Sequence, residues 1–329
     1  MTRYGILGFG LHARKRLMPA FQAAKQSQFA GLWRRDPQRA AADSAEFGVA
    51  AYPSAEALCS SPEIDAIFIT SPDALHLPDV LLALRHGKPV LCEKPLAMST
   101  AEVEQMLAAA EAASVLLGVA QNMRYNRSLQ LIREWVAEGR IGTPHLVNAQ
   151  VCYDAGRNPR TWIYDPELAR GGPIGDVGIH CIDALRFVLG SDVAQTGAVA
   201  HRDEHSGKVE SHAVLPLAFT NGAAGAVTLT SRGRYRSLLE VTGTTGVIVC
   251  ENALTVDHPI EVLLLRGWDG VEQREALSNA DAYTRMLDAF SAAIHGEEAF
   301  LSPATDGLHN LRVVDASYES WRTGQIITL

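Results

Sequence analysis

Tyr4-Gly5-Ile6-Leu7-Gly8-Phe9-Gly10-Leu11-His12-Ala13 decides how the N-terminal part of the chain folds. Tyr4 to Leu7 reads as a short buried strand, and apolar spacing predicts a helix from about Ala13 to Ala24. Between them lies Gly8-x-Gly10-x-x-Ala13. The first glycine makes a tight turn, the second lets the backbone approach a pyrophosphate, and the small Ala13 lets helix and strand pack closely. Backbone N–H groups at the helix start are a natural anion site.

Strand and helix keep alternating beyond this loop. Phe29 to Trp33 reads as a strand, and Asp36-Pro37 is a cap and first-turn proline opening a helix to Phe47. Ala66 to Thr70 is an uninterrupted apolar run, as a strand buried on both faces requires. A helix from Leu77 to Arg85, a strand from Pro89 to Cys92, a helix from Ser99 to Ala113 and a strand from Val115 to Ala120 follow. This order predicts a parallel, doubly wound sheet with right-handed crossovers.

The pattern changes near residue 121. Helices are expected over Ser128–Glu138 and Asp176–Leu189, then short alternating strands from Val193 to Arg266, then helices over Ala282–His295 and Asp306–Arg322. The expected fold class is therefore α/β, a Rossmann domain over residues 1–121 followed by an α+β domain with a largely antiparallel sheet over residues 122–329. The C-terminal helix can pack back on the first domain. A length of 329 residues suits two domains.

Composition narrows the function classes. The formal charge of −8 disfavours nucleic acid and anionic membranes as partners. The basic clusters Arg14-Lys15-Arg16 and Arg232-Gly233-Arg234-Tyr235-Arg236 read as solvated surface, the second in a loop. Cys59, Cys92, Cys152, Cys181 and Cys250 are scattered without metal-ligand spacing, so no metal is expected and the thiols fit a reducing compartment. No leader and no apolar run of about 20 residues is visible, making cytoplasm the expectation.

Chemistry-bearing residues cluster where strands end. NAD binders place a carboxylate after the second strand to hold the ribose diol; this chain has Arg34-Arg35, with Arg39 one turn on. Guanidiniums suit a 2′-phosphate, so NADP is expected ahead of NAD. Glu93-Lys94-Pro95 and Gln121-Asn122-x-Arg124-Tyr125 follow later strands at the same sheet edge. In Gly171-Gly172-Pro173-Ile174-Gly175-Asp176-Val177-Gly178-Ile179-His180, Asp176 and His180 are four apart and share a helix face. The glycines are expected to leave that helix start open to a ligand.

Taken in order, these motifs, together with Ile64-Asp65-Ala66, Ser71-Pro72, His76, Asp183 and Tyr283-x-x-Met286, resemble the Gfo/Idh/MocA oxidoreductases nearly end to end. That family is named for glucose–fructose oxidoreductase, inositol dehydrogenase and a rhizopine-catabolism protein. The resemblance implies Lys94, Asp176 and His180 as catalytic residues and a Lys94–Pro95 bond that is often cis. It implies a cofactor site from Gly8, Phe9, Gly10, His12, Ala13, Arg34, Arg35, Arg39, Thr70, Ser71, Pro72, His76, Glu93, Lys94 and Asn122. The substrate, a sugar, cyclic polyol or derivative, would meet Lys94, Arg124, Asp176 and His180, with Tyr153, Arg157, Arg160 or Trp162 serving in place of the usual sugar-hydroxyl contacts where the chain departs from the family.

Two departures bear on that substrate. Arg127 stands where relatives often have proline, and Trp162-Ile163-Tyr164-Asp165-Pro166 where many carry Trp-Arg before Asp-Pro. Two rival readings keep the fold: a non-catalytic dinucleotide sensor, and a glycosidase using a bound nicotinamide transiently. A homodimer or homotetramer is expected, because strands such as Ala226–Thr230 and Val247–Val249 need both sheet faces covered.

Overall fold

The computed structural model describes residues 1–157, 162, 165–204, 206–266 and 270–329. It divides into two compact units, Met1–Gln121 with Tyr283–Leu308, and Asn122–Ala282 with His309–Leu329. Among the described residues no helix is long and apolar enough to cross a membrane.

The first unit is built on a six-stranded sheet: β1 (Thr2–Leu7), β2 (Ser27–Trp33), β3 (Ala50–Ala51), β4 (Ala66–Ile69), β5 (Val90–Cys92) and β6 (Leu117–Val119). Its order is β3-β2-β1-β4-β5-β6, all parallel, so the chain reverses direction of growth between β1 and β4. That reversal opens the crevice beyond the strands' carboxyl ends, where ligands of such sheets bind. β4 lies between β1 and β5 with all four residues buried, as its unbroken apolar run predicts.

Local chemistry explains the element boundaries. Helix α1 begins with a π turn, Ala13–Leu17, and continues as Met18–Ala23. Helix α2 (Pro37–Phe47) starts where the Asp36 carboxylate accepts from the N–H groups of Gln38 and Arg39, and stops at Gly48 in the left-handed region. Helix α3 (Ala55–Ser60) and strand β3 are too short for a periodicity reading to reveal. Helices α4 (His76–Arg85) and α5 (Thr100–Ala113) complete the crossovers. The later segment Tyr283–Leu308 brings buried Met286, Leu287 and Phe290 into this unit. There the Tyr4 hydroxyl meets the Ser291 hydroxyl at 2.9 Å and donates to the Leu287 carbonyl at 3.2 Å.

The second unit holds a ten-stranded sheet. Its strands are β7 (Pro144–Asp154), β8 (Val193–Thr196), β9 (Val199–His201), β10 (His212–Phe219), β11 (Ala224–Thr230), β12 (Arg232–Gly243), β13 (Val247–Glu251), β14 (Ile260–Leu265), β15 (Val271–Leu277) and β16 (Ile327–Thr328). The order is β15-β14-β13-β12-β7-β11-β10-β8-β16, with β9 on β10, and every pairing is antiparallel except β7 with β11. Two expectations need correction. The sheet begins before Val193, because Pro144–Asp154 alternates with Val147, Ala149 and Val151 buried. Arg232–Arg236 is strand β12 and not a loop; Arg232 pairs with Asp203 and Arg236 with Glu251.

One face of this sheet is covered and the other is open. Along β10, Ala213, Leu215, Leu217 and Phe219 are buried while His212, Val214 and Pro216 are exposed. The covered face packs against helices that include α6 (Arg127–Ala137) and α7 (Ile179–Leu189). The chain ends with α8 (Ala282–Ile294) and α9 (Ala304–Thr323).

Because Phe68 on β4 is wholly buried, Phe68→Ala is expected to destabilise the protein by about 3–5 kcal/mol. Chemical denaturation checks this through the transition midpoint; an unchanged midpoint would contradict the placement of β4.

Candidate active site

The nucleotide loop is set by backbone closeness. Gly8 has φ +79°, and a Cβ there would lie 2.5 Å from the Ser71 nitrogen and 2.6 Å from its Cα. The Thr70 hydroxyl donates to the Gly8 carbonyl at 3.1 Å, and the Gly8 N–H donates to the Trp33 carbonyl at 3.0 Å. The loop after β1 is thereby pinned to the ends of β4 and β2. Around Gly10, a Cβ would meet only the Gly8 carbonyl oxygen, at 3.5 Å, so the loop's outer side has room for a pyrophosphate. Ala13 is wholly buried where α1 crosses the sheet. These features fit the dinucleotide the loop implies.

Other residues expected at the cofactor divide into those that face outward and those that hold the loops. The Phe9 ring is core, stacked on Phe29 at 5.5 Å with Phe47 on edge, so only its backbone is available to a ligand. His76 is a clamp: it is wholly buried, with Nδ1 2.9 Å from the Pro95 carbonyl and Nε2 2.9 Å from the Ser71 carbonyl. The Ser71 hydroxyl donates to Asp79 at 2.7 Å; burial pushes that carboxyl up, and the donated hydrogen bond works against the push. Pro72 begins the turn between them and is half-buried.

Glu93 and Lys94 follow β5, and the Lys94–Pro95 bond is cis. One Glu93 oxygen lies 2.9 Å from His12 Nε2 and the other accepts from the Lys94 N–H at 3.2 Å. The His12 ring meets Tyr283 edge-on at 5.8 Å. Sequence reasoning named His12 and Glu93 separately; nothing in their spacing signals that they bond.

Arg34 directly follows β2, and its guanidinium donates to Asp43 on α2 at 2.6 Å. Arg14 donates to the other Asp43 oxygen and also pairs with Glu46. The largely buried Asp43 thus fixes Arg34, a partner that sequence reasoning did not name. Arg35 is exposed, and Arg39 pairs with Asp36 at 3.3 Å.

In the second unit, Asp176 occupies the π turn Ile174–Gly178 that leads into α7, and His180 is buried in the first turn of α7. The Tyr153 hydroxyl on β7 donates to Asp176 at 3.4 Å. One helical turn beyond His180, Asp183 accepts from Arg124 Nε and Nη2 at 2.7–3.1 Å and from the Asn310 amide at 2.7 Å. Arg124 therefore differs from its expectation as a substrate contact. It is buried, forked onto Asp183 and laid on the Phe187 ring, where it holds α7. Asn122 is buried in the same short turn, Asn122–Tyr125.

The start of α7 differs from its expectation too. It is not left open: the buried Glu210 carboxylate accepts from the N–H groups of Ile174 at 2.8 Å and Gly172 at 3.2 Å. Glu210 is 36 residues from Ile174, and no local pattern announces it. Trp162 is half-buried, Arg157 ends the turn Ala155–Arg157, and Arg160 lies outside the described residues.

Comparison with known proteins places this arrangement. Residues 2–121 match the Gfo/Idh/MocA model for an oxidoreductase family with NAD-binding Rossmann fold, and residues 129–249 match a Gfo/Idh/MocA C-terminal domain. The chain is 32% identical to a 1,5-anhydro-D-fructose reductase of Ensifer adhaerens, covering 99% of this chain and 98% of that one. It is 30% identical to a D-xylose 1-dehydrogenase (NADP(+)) of Haloferax volcanii, covering 99% of each. An aldose-aldose oxidoreductase from Caulobacter crescentus, solved with glycerol, superposes with a TM-score of 0.92 at 25% identity over 100% of this chain and 99% of that one. The chain belongs to the Gfo/Idh/MocA family and is an NAD(P)-dependent oxidoreductase.

Breaking a buried ion pair from one side strands a charge, so Asp183→Asn is expected to cost about 3–5 kcal/mol of stability. Adding Arg124→Met should cost clearly less than the sum of the two single changes. Unfolding of the three variants checks this; additive losses would mean the pair is not coupled.

Proposed function

We propose that this oxidoreductase transfers a hydride between nicotinamide and a secondary alcohol or ketone of a sugar, cyclic polyol or derivative, with NADP(H) preferred to NAD(H). The observation that carries the reading is an open dinucleotide loop in a chain that also retains Lys94, Asp176 and His180. A non-catalytic sensor has no use for all three. The relatives named above as a sugar reductase and a sugar dehydrogenase support the substrate class.

The bound dinucleotide would supply the hydride donor or acceptor. The chain's own residues handle the proton and the oxygen. His180 takes the hydroxyl proton or returns it to a ketone. Asp176 orients that imidazole or relays its proton, with Tyr153 holding the carboxylate. Lys94 hydrogen-bonds the reacting oxygen and stabilises its developing negative charge. Tyr153, Arg157, Arg160 and Trp162 remain the proposed sugar-hydroxyl contacts. His180→Ala is expected to lower the chemical step by about 10²-fold or more while nucleotide affinity stays near wild type. Stopped-flow nicotinamide absorbance across a panel of sugars, inositols and their keto forms checks this. Full turnover by the variant would remove His180 from the mechanism.

Cofactor choice is assigned to Arg34, with Arg35 and Arg39 in reach of the same phosphate. Asp43 holds the Arg34 guanidinium in place, which lowers the entropy lost on binding. A charge-assisted hydrogen bond contributes about 1.5–3 kcal/mol, so Arg34→Asp should weaken NADPH about ten- to a hundredfold and narrow or reverse the preference over NADH. Fluorescence titration of both nucleotides decides it; equal wild-type affinities would sink the assignment.

The open sheet face supports a homodimer or homotetramer. Leu146 and Val214 are each more than two-fifths exposed on it, and apolar surface of this kind marks subunit contacts. Five free thiols support a reducing, cytoplasmic setting.

A further inference from the structure

A cleft of about 440 Å³ lies wholly within the second unit, between the segment Pro166–Gly171, Arg202 with Lys208–Glu210, and the last turns of α9. Its charge is unusual for a chain of net charge −8. Arg202, Lys208 and Arg322 all line it, and none forms an ion pair with a described residue. The fourth cation, Arg170, is neutralised by Asp315 and lies on the Tyr318 ring. The one acid in the lining, Glu210, is 1% exposed. Its oxygens are taken by two backbone N–H groups and by the Tyr318 hydroxyl at 3.0 Å. It is not placed to neutralise the three remaining cations.

The walls add shape to the charge. Arg202 lies 4.9 Å over the Trp321 ring, which covers its flat face and leaves its in-plane N–H fork to bond elsewhere. The Trp321 and Tyr318 rings, one helical turn apart, form an apolar side. A volume of this size takes one ring-sized molecule with its substituents. Three converging cations match a dianion, and an aromatic wall matches a flat body.

We infer that this cleft is a second ligand site, separate from the nucleotide loop, for a small organic phosphate: a phosphate monoester on a sugar- or aromatic-ring-sized body. The phosphate meets Arg202, Lys208 and Arg322, and the ring lies against Trp321. The site adjoins α7 through Glu210, which lines the cleft and also holds Gly172 and Ile174, the residues leading into Asp176. A Cβ on Gly172 would lie 2.3 Å from the Glu210 carbonyl oxygen, so the two segments touch backbone to backbone.

Phenyl phosphate is a suitable probe, titrated by calorimetry with and without saturating NADPH. The expected result is a Kd below about 1 mM, unchanged by NADPH, and weakened at least tenfold in an Arg202→Ala, Lys208→Ala, Arg322→Ala triple variant that binds NADPH as the wild type does. Methyl phosphate should bind at least tenfold more weakly, because it has no ring for Trp321. Weaker binding of phenyl phosphate than this, or binding that survives the triple substitution, overturns the site. Competition by NADPH would instead put the phosphate in the nucleotide loop and equally overturn it. Failure of NADPH itself to bind is read separately and bears only on the cofactor reading.

Discussion

The nucleotide half depends on one close approach. Gly8 crosses the Ser71 backbone with no room for a Cβ and with a φ that L side chains rarely adopt. Any side chain there must part the ends of β1 and β4. Those two strands flank the point where sheet growth reverses, so the same contact that closes the core also opens the crevice. The outward residues follow from it: Gly10 on the open side, Ala13 buried under the helix, Arg34 at the next strand end. His76 extends the constraint sideways. With its ring nitrogens on the Ser71 and Pro95 carbonyls, it ties the Gly8 contact to the turn that presents Lys94.

A different device serves the second unit. Asp176, His180 and Asp183 recur at intervals of four and three, so one face of α7 and its leading turn carries both the proposed chemistry and its anchor. Arg124 and Asn310 grip that face at Asp183, while Glu210 grips the entry at Gly172 and Ile174. Anchored at its entry and again at Asp183, the segment that carries Asp176 and His180 is fixed from both sides. Buried charges are a costly way to do this, tolerable only because the carboxylates are well supplied with donors. Asp183 accepts from two partners, and Glu210 from three groups.

What the sequence made legible was whatever is encoded locally. Gly8, Gly10 and Ala13 announce the loop because backbone closeness restricts residue type at fixed spacing. Ala66–Ile69 announces a two-sided strand because burial on both faces removes polar residues. The four-residue interval of Asp176 and His180 announces a shared face. Hidden from it were partnerships between distant segments: Asp43 with Arg34, Glu93 with His12, Glu210 with Ile174. Each needs only a carboxylate somewhere along the chain, and 37 acidic residues offer no way to choose. Strand β7 was missed for another reason. Val147, Ala149 and Val151 alternate with Asn148 and Gln150, which face the open side, a period-two pattern that was legible locally but lies outside the expected Val193–Arg266 run.

The same logic separates Arg34 from Arg124, two arginines that look equally functional in sequence. Both sit beside motif residues, and both are bound by a carboxylate in the structure. Arg124 is forked onto Asp183 with more than one nitrogen, only 6% of its side chain is exposed, and its flat face lies on Phe187. A ligand could recruit it only by breaking a buried pair, at a cost of several kcal/mol. Arg34 gives one nitrogen to Asp43, with 18% of its side chain still reaching solvent. Asp43 also pairs with Arg14, which Glu46 pairs in turn, so Asp43 engages Arg34 through one oxygen alone. An arginine held by one edge is pre-positioned; one buried as a fork is structural. Burial and the number of nitrogens engaged, more than residue type or motif, decide which role each plays.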